Sequence, residues 1–316
     1  MINLLLIMPY PIHDKLVVAI ASSALFDLRE SDAVYREQGA EAYRDYQRAS
    51  ENDVLNPGVA FPFIRRLLNL NSQHDQGDQP VEVILLSRND PDTGLRVFKS
   101  IERYGLQISR GAFLSGAPPY RYINAFCASL FLSAHKEDVE EAVRNGHPAG
   151  RVLGVEYIDD PHDAELRIAF DFDGVLVDDE AECVYQEKQL SGFNESEKFR
   201  AQFPHNPGPL KNLFNKIVAI QRRRLNKSEN GQTYIRTAII TSRSAPAHER
   251  VVTTLRDWNI RVDETFFLGG IDKNRILEVF RPHIFFDDQL TYAEPAKGLN
   301  PSVHIPFGVV NRKLSS

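Results

Sequence analysis

Arg167-Ile168-Ala169-Phe170-Asp171-Phe172-Asp173-Gly174-Val175-Leu176-Val177-Asp178 is the stretch whose reading decides the fold. An apolar run of strand character ends in two carboxylates two residues apart, and a glycine and a second apolar run follow. Residues i and i+2 of a strand point to the same side, so Asp171 and Asp173 reach one spot while Phe172 packs the other way. Two adjacent negative charges repel unless a cation or a proton lies between them. On these residues alone the stretch reads equally as an exposed Asp-Gly turn. The remainder of the chain has to decide between a turn and a site.

The chain contains this stretch twice. Ala19-Ile20-Ala21-Ser22-Ser23-Ala24-Leu25-Phe26-Asp27-Leu28-Arg29-Glu30 lies over Ala169 to Glu180, with Ala21 under Asp171. Such self-similarity has to be found before elements are assigned. Asn56-Pro57-Gly58 then matches Asn206-Pro207-Gly208, each followed by an amphipathic helix, Phe61 to Leu70 and Leu210 to Ile220; proline and glycine mark where those helices begin. The buried strand Val81 to Arg88 matches Ile235 to Arg243, and helices follow from Thr93 to Tyr104 and from His248 to Trp258. Ala112 to Gly116 matches Phe266 to Gly270, and Ser129 to Ala134 matches His283 to Asp288.

Each half therefore reads strand, helical insert, helix, strand, helix, strand, helix, strand. Alternating strands and helices predict an α/β fold with a parallel sheet covered on both faces, and ligands in such sheets bind beyond the carboxyl ends of the strands. Those ends are where the halves differ. The second carries Asp171, Asp173, Thr241, Lys273 and the pair Asp287-Asp288, whereas the first carries Ala21, Ser23, Leu86, Pro119, Ser133 and Ala134. The expected division is an extension over residues 1–15, a chemically degenerate half over 16–152 and a catalytic half over 153–316. Inserts at about 28–56 and 178–206 are expected as small helical covers. Glu137 to Arg144 reads as a charged helix stopped by Gly146, Arg151 to Glu165 as the linker, and Ser302 to Phe307 as one more strand.

Composition narrows the function classes. With 316 residues, 42% hydrophobic and 25% charged, the chain reads as a globular protein with room for two cores. A formal charge of −6 leaves no broad electrostatic footprint for a nucleic-acid polymer. Its one dense basic run, Arg222-Arg223-Arg224 with Lys227, reads as a solvated helix end. Cys127 and Cys183 have no metal-ligand spacing, which points to a reducing compartment and a cytoplasmic setting. Leu4 to Met8 and Leu16 to Phe26 are apolar, but no basic segment precedes the first and Pro9, Pro11, His13 and Asp14 separate them, unlike a signal peptide. No stretch approaches the ~20 apolar residues that span a bilayer.

The strand-end residues suit one chemistry. Four carboxylates with one lysine fit a hard divalent cation, and Mg²⁺ is usually held by a few carboxylates together with water and a substrate phosphate. Lys273 and the Thr241 hydroxyl would then serve as donors to the remaining phosphoryl oxygens.

In order and separation, Asp171-Phe172-Asp173-Gly174-Val175, Thr241, Lys273 and Asp287-Asp288 resemble the four motifs of the haloacid dehalogenase (HAD) phosphatase superfamily. More narrowly, the chain is similar to the type I cytosolic 5′-nucleotidases. That resemblance rests on Ser23-Ala24-Leu25-Phe26, Tyr35 to Gly39, Asn56 to Phe63, Thr254-Leu255-Arg256, Arg281 to Gln289 and His304 to Gly308, and covers nearly everything after Lys15. It implies two related HAD-like, Rossmannoid halves and hydrolysis of a nucleoside 5′-monophosphate such as AMP. It further implies Asp171 as the nucleophile and Asp173 as the acid and then the base. Mg²⁺ would be held by Asp171, the backbone carbonyl of Asp173 and one of Asp287 and Asp288, with Thr241 and Lys273 anchoring the phosphate.

Alternatives stay open at several positions. Ser242 adjoins Thr241 and could supply the hydroxyl, and Arg243 could contact substrate or form a structural salt bridge. Asp178, Asp179 and Glu180 read as first-turn helix acids. His205, His248, His283 and His304 read as structural or surface groups, with Phe193, Asn194, His205 and Asn206 as weak candidates for base contact. At the level of function, the rivals are a phosphatase for another small phosphate ester and a nucleotide-binding regulator without turnover. The first half reads as packing support or as an interaction or allosteric module, and a homo-oligomer is left open.

Overall fold

Near-continuous apolar runs such as Leu16–Ile20 and Val81–Ser87 have no polar side to offer water, so they are stable only inside a sheet covered on both faces. Every residue of both runs is buried in the computed structural model. The structure describes residues 10–72, 74, 77–154, 159–160, 162–225, 234–296 and 299–312. Leu4 to Met8, Lys227 and part of the expected linker lie outside these.

The chain runs β1 Leu16–Ile20, α1 Ser22–Leu25, α2 Arg29–Ala49, α3 Phe61–Asn69, β2 Val81–Ser87, α4 Leu95–Arg103, β3 Arg110–Phe113, β4 Leu130–Ser133, α5 Lys136–Arg144 and β5 Ala149–Leu153. It continues through β6 Leu166–Phe170, α6 Glu180–Phe199, α7 Lys211–Leu225, β7 Ile235–Thr241, α8 His248–Asp257, β8 Glu264–Phe267, α9 Asn274–Phe280, β9 Ile284–Asp287, α10 Leu290–Ala296, β10 Ser302–His304 and α11 Gly308–Arg312. Among the described residues the ten strands form one sheet in the order β3-β2-β1-β4-β5-β10-β9-β6-β7-β8. Read outward from β5 and β10, the two sides have the same order. Every neighbouring pair is parallel except β5 with β10, where Ser302 faces Leu153 and His304 faces Arg151.

That one antiparallel pair sends the carboxyl ends of β1–β5 to one edge of the sheet and those of β6–β10 to the other. Asp171 and its counterpart Ala21 therefore stand at opposite edges. Three expectations need correction. The helix expected between the third and fourth strands of the first half is only a short 3₁₀ turn, Pro119–Tyr122, with proline at its start. Arg151 to Leu153, read as linker, belongs to β5, whose Gly150 and Arg151 break the apolar pattern while backbone pairing on both sides holds the strand. Leu86 is not the match of Thr241: β2 ends at Ser87 as β7 ends at Thr241, so the counterpart of Thr241 is Ser87.

One face of the sheet carries a continuous apolar layer. Val18, Ile20, Leu85 and Leu132 from the N-terminal side join Ile168, Phe170, Ile239 and Phe286 from the C-terminal side in it. Helices α3 and α7 cover this layer across the seam, α3 reaching β6 and α7 reaching β1. On α3, the buried Arg66 fixes the approach to β6 through an ion pair with Asp159 at 2.7 Å and hydrogen bonds donated to the Asp160 and Glu165 carbonyls. On the other face the apolar residues form two separate clusters, around Phe131 and Val139 and around Phe285 and Leu277. The two Asn-Pro-Gly segments also repeat their geometry. Gly58 N–H donates to the Leu25 carbonyl and Gly208 N–H to that of Leu176, both at 2.8 Å. A Cβ on either glycine would collide with the backbone of Phe26 or Val177, so no larger residue fits. No helix is long and apolar enough to cross a membrane among the described residues.

The seam sets a limit on side-chain volume. A Cβ at Gly150 would collide with Val303 and lie 2.8 Å from Ile305 Cδ1. Gly150→Val should therefore cost about 1–3 kcal/mol of unfolding free energy, the usual penalty of overpacking. Denaturant titration checks this, and an unchanged midpoint would contradict the tight seam.

Candidate active site

Strand β6 delivers its acids to the sheet edge with little freedom. Asp171 N–H donates to the Phe286 carbonyl at 2.8 Å, which extends the β6–β9 pairing by one residue. The chain then turns sharply: Leu176 N–H donates to the Phe172 carbonyl at 3.0 Å, and Gly174 adopts a φ of 69°. A Cβ at Gly174 would collide with the Asp288 carboxylate, so glycine here admits the close approach of a second acid.

Lys273, at the start of α9, enters between the strand ends. Its Nζ lies 3.0 Å from Asp171 Oδ1 and 2.7 Å from Asp287 Oδ2, and 4.5 Å from the centre of the Tyr292 ring. All four charged groups, Asp171, Lys273, Asp287 and Asp288, are buried. Burial works against the lysine charge, but Asp171 and Asp287 outweigh it and hold the ammonium protonated. One ammonium cannot neutralise three carboxylates. Burial pushes the Asp171 carboxyl up to about 7, against the lowering effect of Lys273. Asp288 is raised well above the usual range, by burial and then by Asp171 and Asp287.

These residues fit a divalent cation. Asp171, Asp287 and Asp288 each offer an oxygen within 4.8 Å of the others, and Asp288 Oδ1 is buried without a hydrogen-bond partner. An orphaned buried carboxylate oxygen facing like charges is what a hard cation relieves.

Asp173 has a different environment. Arg243 grips it bidentately, Nε to Oδ2 at 2.8 Å and Nη2 to Oδ1 at 2.7 Å. Burial alone would raise the Asp173 carboxyl, but the guanidinium brings it below the ordinary carboxylate range. The Arg243 plane lies between the rings of Phe172 and Phe193, 5.4 and 5.3 Å from their centres. Thr241, buried at the end of β7, accepts the Arg243 N–H at 3.2 Å. Ser242 is exposed, with its hydroxyl 3.4 Å from that of Tyr292.

The structure thus gathers Asp171, Lys273, Asp287 and Asp288, places Asp173 with Arg243 beside them, and leaves Ser242 exposed next to Tyr292. Arg243 makes the salt bridge that was one of its two expected roles. His304 is tied to the Asp288 carbonyl and to Asn311 Oδ1, both at 3.0 Å, and His283 Nδ1 accepts the Arg167 N–H. Two residues escaped the sequence reading. Glu197 of α6, buried, pairs with Arg243 and with Arg250 of α8, the latter at 2.8 Å. Following the internal repeat into the covers would have exposed both, since Gln47 and Arg96 stand at the matching positions. A second acidic group, Asp178, Glu180 and His205, also brings ligand atoms within 4.8 Å. There the Glu180 oxygens are already held by Arg200 and by Arg250, so guanidinium charge stands where a cation would.

Known proteins resemble the chain over nearly its whole length. A family model described as 5′-nucleotidase matches residues 8–312. The curated human protein Cytosolic 5′-nucleotidase 1B (Homo sapiens) is 33% identical over 315 residues, which is 98% of this chain and 51% of that protein. The chain therefore spans about half the length of this curated relative. Among solved structures, histidinol dehydrogenase from Elizabethkingia anophelis aligns at 7% identity with a TM-score of 0.20, over 92% of this chain and 79% of that one. So low a score carries no argument.

The acid cluster has a pH signature. A carboxyl whose pKa rises on folding, as that of Asp171 does from 3.8 to about 7, binds its proton more tightly in the folded chain. Its stabilising contribution is full below the unfolded value and is lost as pH rises through the folded one. Chelator-treated protein should therefore lose thermal stability between about pH 4 and about pH 7 through this group. Millimolar Mg²⁺ should restore it, with a larger rise in Tm at the upper end of that range than at the lower. A Mg²⁺ effect that is absent, or equal at both ends, would contradict cation binding by these carboxylates.

Proposed function

Because the chain belongs to the 5′-nucleotidase family, we propose that it hydrolyses nucleoside 5′-monophosphates, AMP-like, to nucleoside and phosphate. The observation that carries this reading is the buried set of Asp171, Lys273, Asp287 and Asp288 beside Asp173, at the carboxyl edge of β6 and β9. The human relative's name supports the same activity. We further read residues 16–152 and 153–316 as two HAD-like halves, the second catalytic with a small cap over about 178–206, in a cytoplasmic protein.

On this reading Asp171 acts as a carboxylate nucleophile. One of its oxygens attacks phosphorus, the bond from phosphorus to the 5′ oxygen breaks, and the bonding electrons leave with that oxygen. Asp173 gives the departing oxygen its proton. Water then attacks the phosphorus of the Asp171 acyl phosphate and passes a proton to Asp173. The bond from phosphorus to Asp171 breaks, releasing phosphate and free carboxylate.

Asp173 starts ionised against Arg243, and a phosphate dianion entering beside it raises its proton affinity by charge repulsion. Lys273 and the Thr241 hydroxyl hold the non-bridging phosphoryl oxygens, with Ser242 and Arg243 flanking them in sequence. A Mg²⁺ ion held by Asp171, the Asp173 backbone carbonyl and Asp287 or Asp288 would supply the positive charge that allows a carboxylate to approach a phosphate. The negative net charge of the chain fits a small substrate better than a nucleic-acid polymer.

Purified protein supplied with AMP and Mg²⁺ should release phosphate, and a chelator should stop it. Asp171→Asn should reduce the rate by at least about 10³-fold, as loss of a covalent nucleophile does. Unchanged release from that variant would overturn the nucleophile assignment. Release from sugar phosphates but from no nucleoside monophosphate would move the substrate to another small ester.

A further inference from the structure

A charged network joins the cover helix α6 to Asp173, and the opposite side of the same sheet shows what that joint looks like without charge. In the C-terminal side, Arg250 donates from Nε to the Phe203 carbonyl at 2.9 Å and from Nη1 to Glu197 Oε1 at 2.8 Å. In the N-terminal side, Arg96 donates from Nε to the Asp53 carbonyl at 2.9 Å and from Nη1 to Gln47 Oε1 at 3.4 Å. His205 N–H donates to Thr254 Oγ1, and Leu55 N–H to Ser100 Oγ, both at 3.0 Å. Arg243 N–H donates to Thr241 Oγ1, and Asn89 N–H to Ser87 Oγ, both at 3.2 Å. Even the edge-on aromatic pairs repeat, Tyr185 with Phe193 and Tyr35 with Tyr43.

Against this shared frame four differences stand out. Glu197 replaces Gln47, His205 replaces Leu55, Arg243 replaces Asn89 and Asp173 replaces Ser23. Glu197, His205 and Arg243 are all buried, and removing the charges of Glu197 and Arg243 from water costs free energy that a neutral pair avoids. Gln47, Leu55 and Asn89 occupy the same places at the other edge, so folding of the cover does not call for the charged set. The charged residues occur together where Asp173 stands.

We infer that Arg243 is a positioning residue for Asp173 and that Glu197, His205 and Arg250 fix Arg243 from the cover. This rests on the reading of Asp173 as acid and base. The guanidinium fork holds both Asp173 oxygens, while Glu197 takes Nη1 and the Ala247 carbonyl accepts from it at 3.4 Å. The rings of Phe172 and Phe193 pack against the guanidinium. Glu197 is in turn held by Arg250, and His205 Nε2 lies 3.3 Å from it. The orientation of the Asp173 carboxylate toward a leaving oxygen is thereby tied to the seating of α6.

The test exchanges the residues of the uncharged side into the charged one: Arg243→Asn, Glu197→Gln, and the triple variant Glu197→Gln/His205→Leu/Arg243→Asn. Thermal unfolding and the Mg²⁺-dependent rise in Tm should persist, since neither the frame nor the Asp171, Asp287 and Asp288 set is touched. For AMP, kcat/KM should fall about 100-fold, within the range that general acid catalysis contributes. For p-nitrophenyl phosphate, whose leaving group departs without a proton, it should fall less than about fivefold. Asp173→Asn should show the same contrast between substrates.

Equal losses on both substrates in the Arg243 and triple variants, or losses below about threefold, would overturn the positioning role. If Asp173→Asn keeps the contrast while the Arg243 variants lack it, only this inference falls. If Asp173→Asn itself treats both substrates alike, the acid assignment falls and the inference with it. Glu197→Gln, the mildest change, decides the matter should the others fail to fold.

Discussion

The buried ammonium of Lys273 between Asp171 and Asp287 is the interaction on which the site depends. Adjacent parallel strands β6 and β9 bring Asp171, Asp287 and Asp288 to one place, and without a cation that place would be electrostatically untenable. Lys273 offsets part of the charge, and Gly174 makes room for the Asp288 carboxylate. At the other edge Ala21, Ser133 and Ala134 take the positions of these acids and Pro119 that of the lysine, so nothing there needs neutralising. Acids and lysine are present together or absent together.

The antiparallel pairing of β5 with β10 is the second organising constraint. It makes one sheet of ten strands while sending the two sets of carboxyl ends to opposite edges. One face of that sheet is sealed by a continuous apolar layer with α3 and α7 across the seam, so the N-terminal side supports the strands that hold the site without touching it. This arrangement is compatible with a side that lacks the acids and has the same strand order. Its burial is part of the same core.

Much of this was legible in the chain. The internal repeat gave the order of strands and helices apart from the segment between β3 and β4, which is only a short 3₁₀ turn, and the strand-end acids with Lys273 marked the edge where the acids gather, because parallel strands expose their carboxyl ends as a matter of geometry. What escaped the reading depends on partners rather than on pattern. Strand β5, with Gly150 and Arg151 at its centre, has no apolar run and is held by backbone pairing to β4 and β10. Glu197 reads in sequence as one more acid on a charged helix. Only the fold shows it buried between Arg243, Arg250 and His205. Likewise Arg243 could not be divided between substrate and salt bridge until Asp173 was seen in its grip.

Asp171 and Asp173 lie two residues apart, yet their surroundings push them in opposite directions. Burial raises Asp171, and Arg243 lowers Asp173. For the chemistry proposed, the protein without ligands has these backwards, since a nucleophile must be ionised and a leaving-group acid must carry a proton. Two charges reverse both at once. A divalent cation among Asp171, Asp287 and Asp288 favours the ionised nucleophile, and a phosphate dianion near Asp173 favours its protonated form. On that reading the site becomes competent only when cation and phosphate are both present, and the pull of Arg243 on Asp173 keeps a proton from being committed before the substrate that needs it has entered.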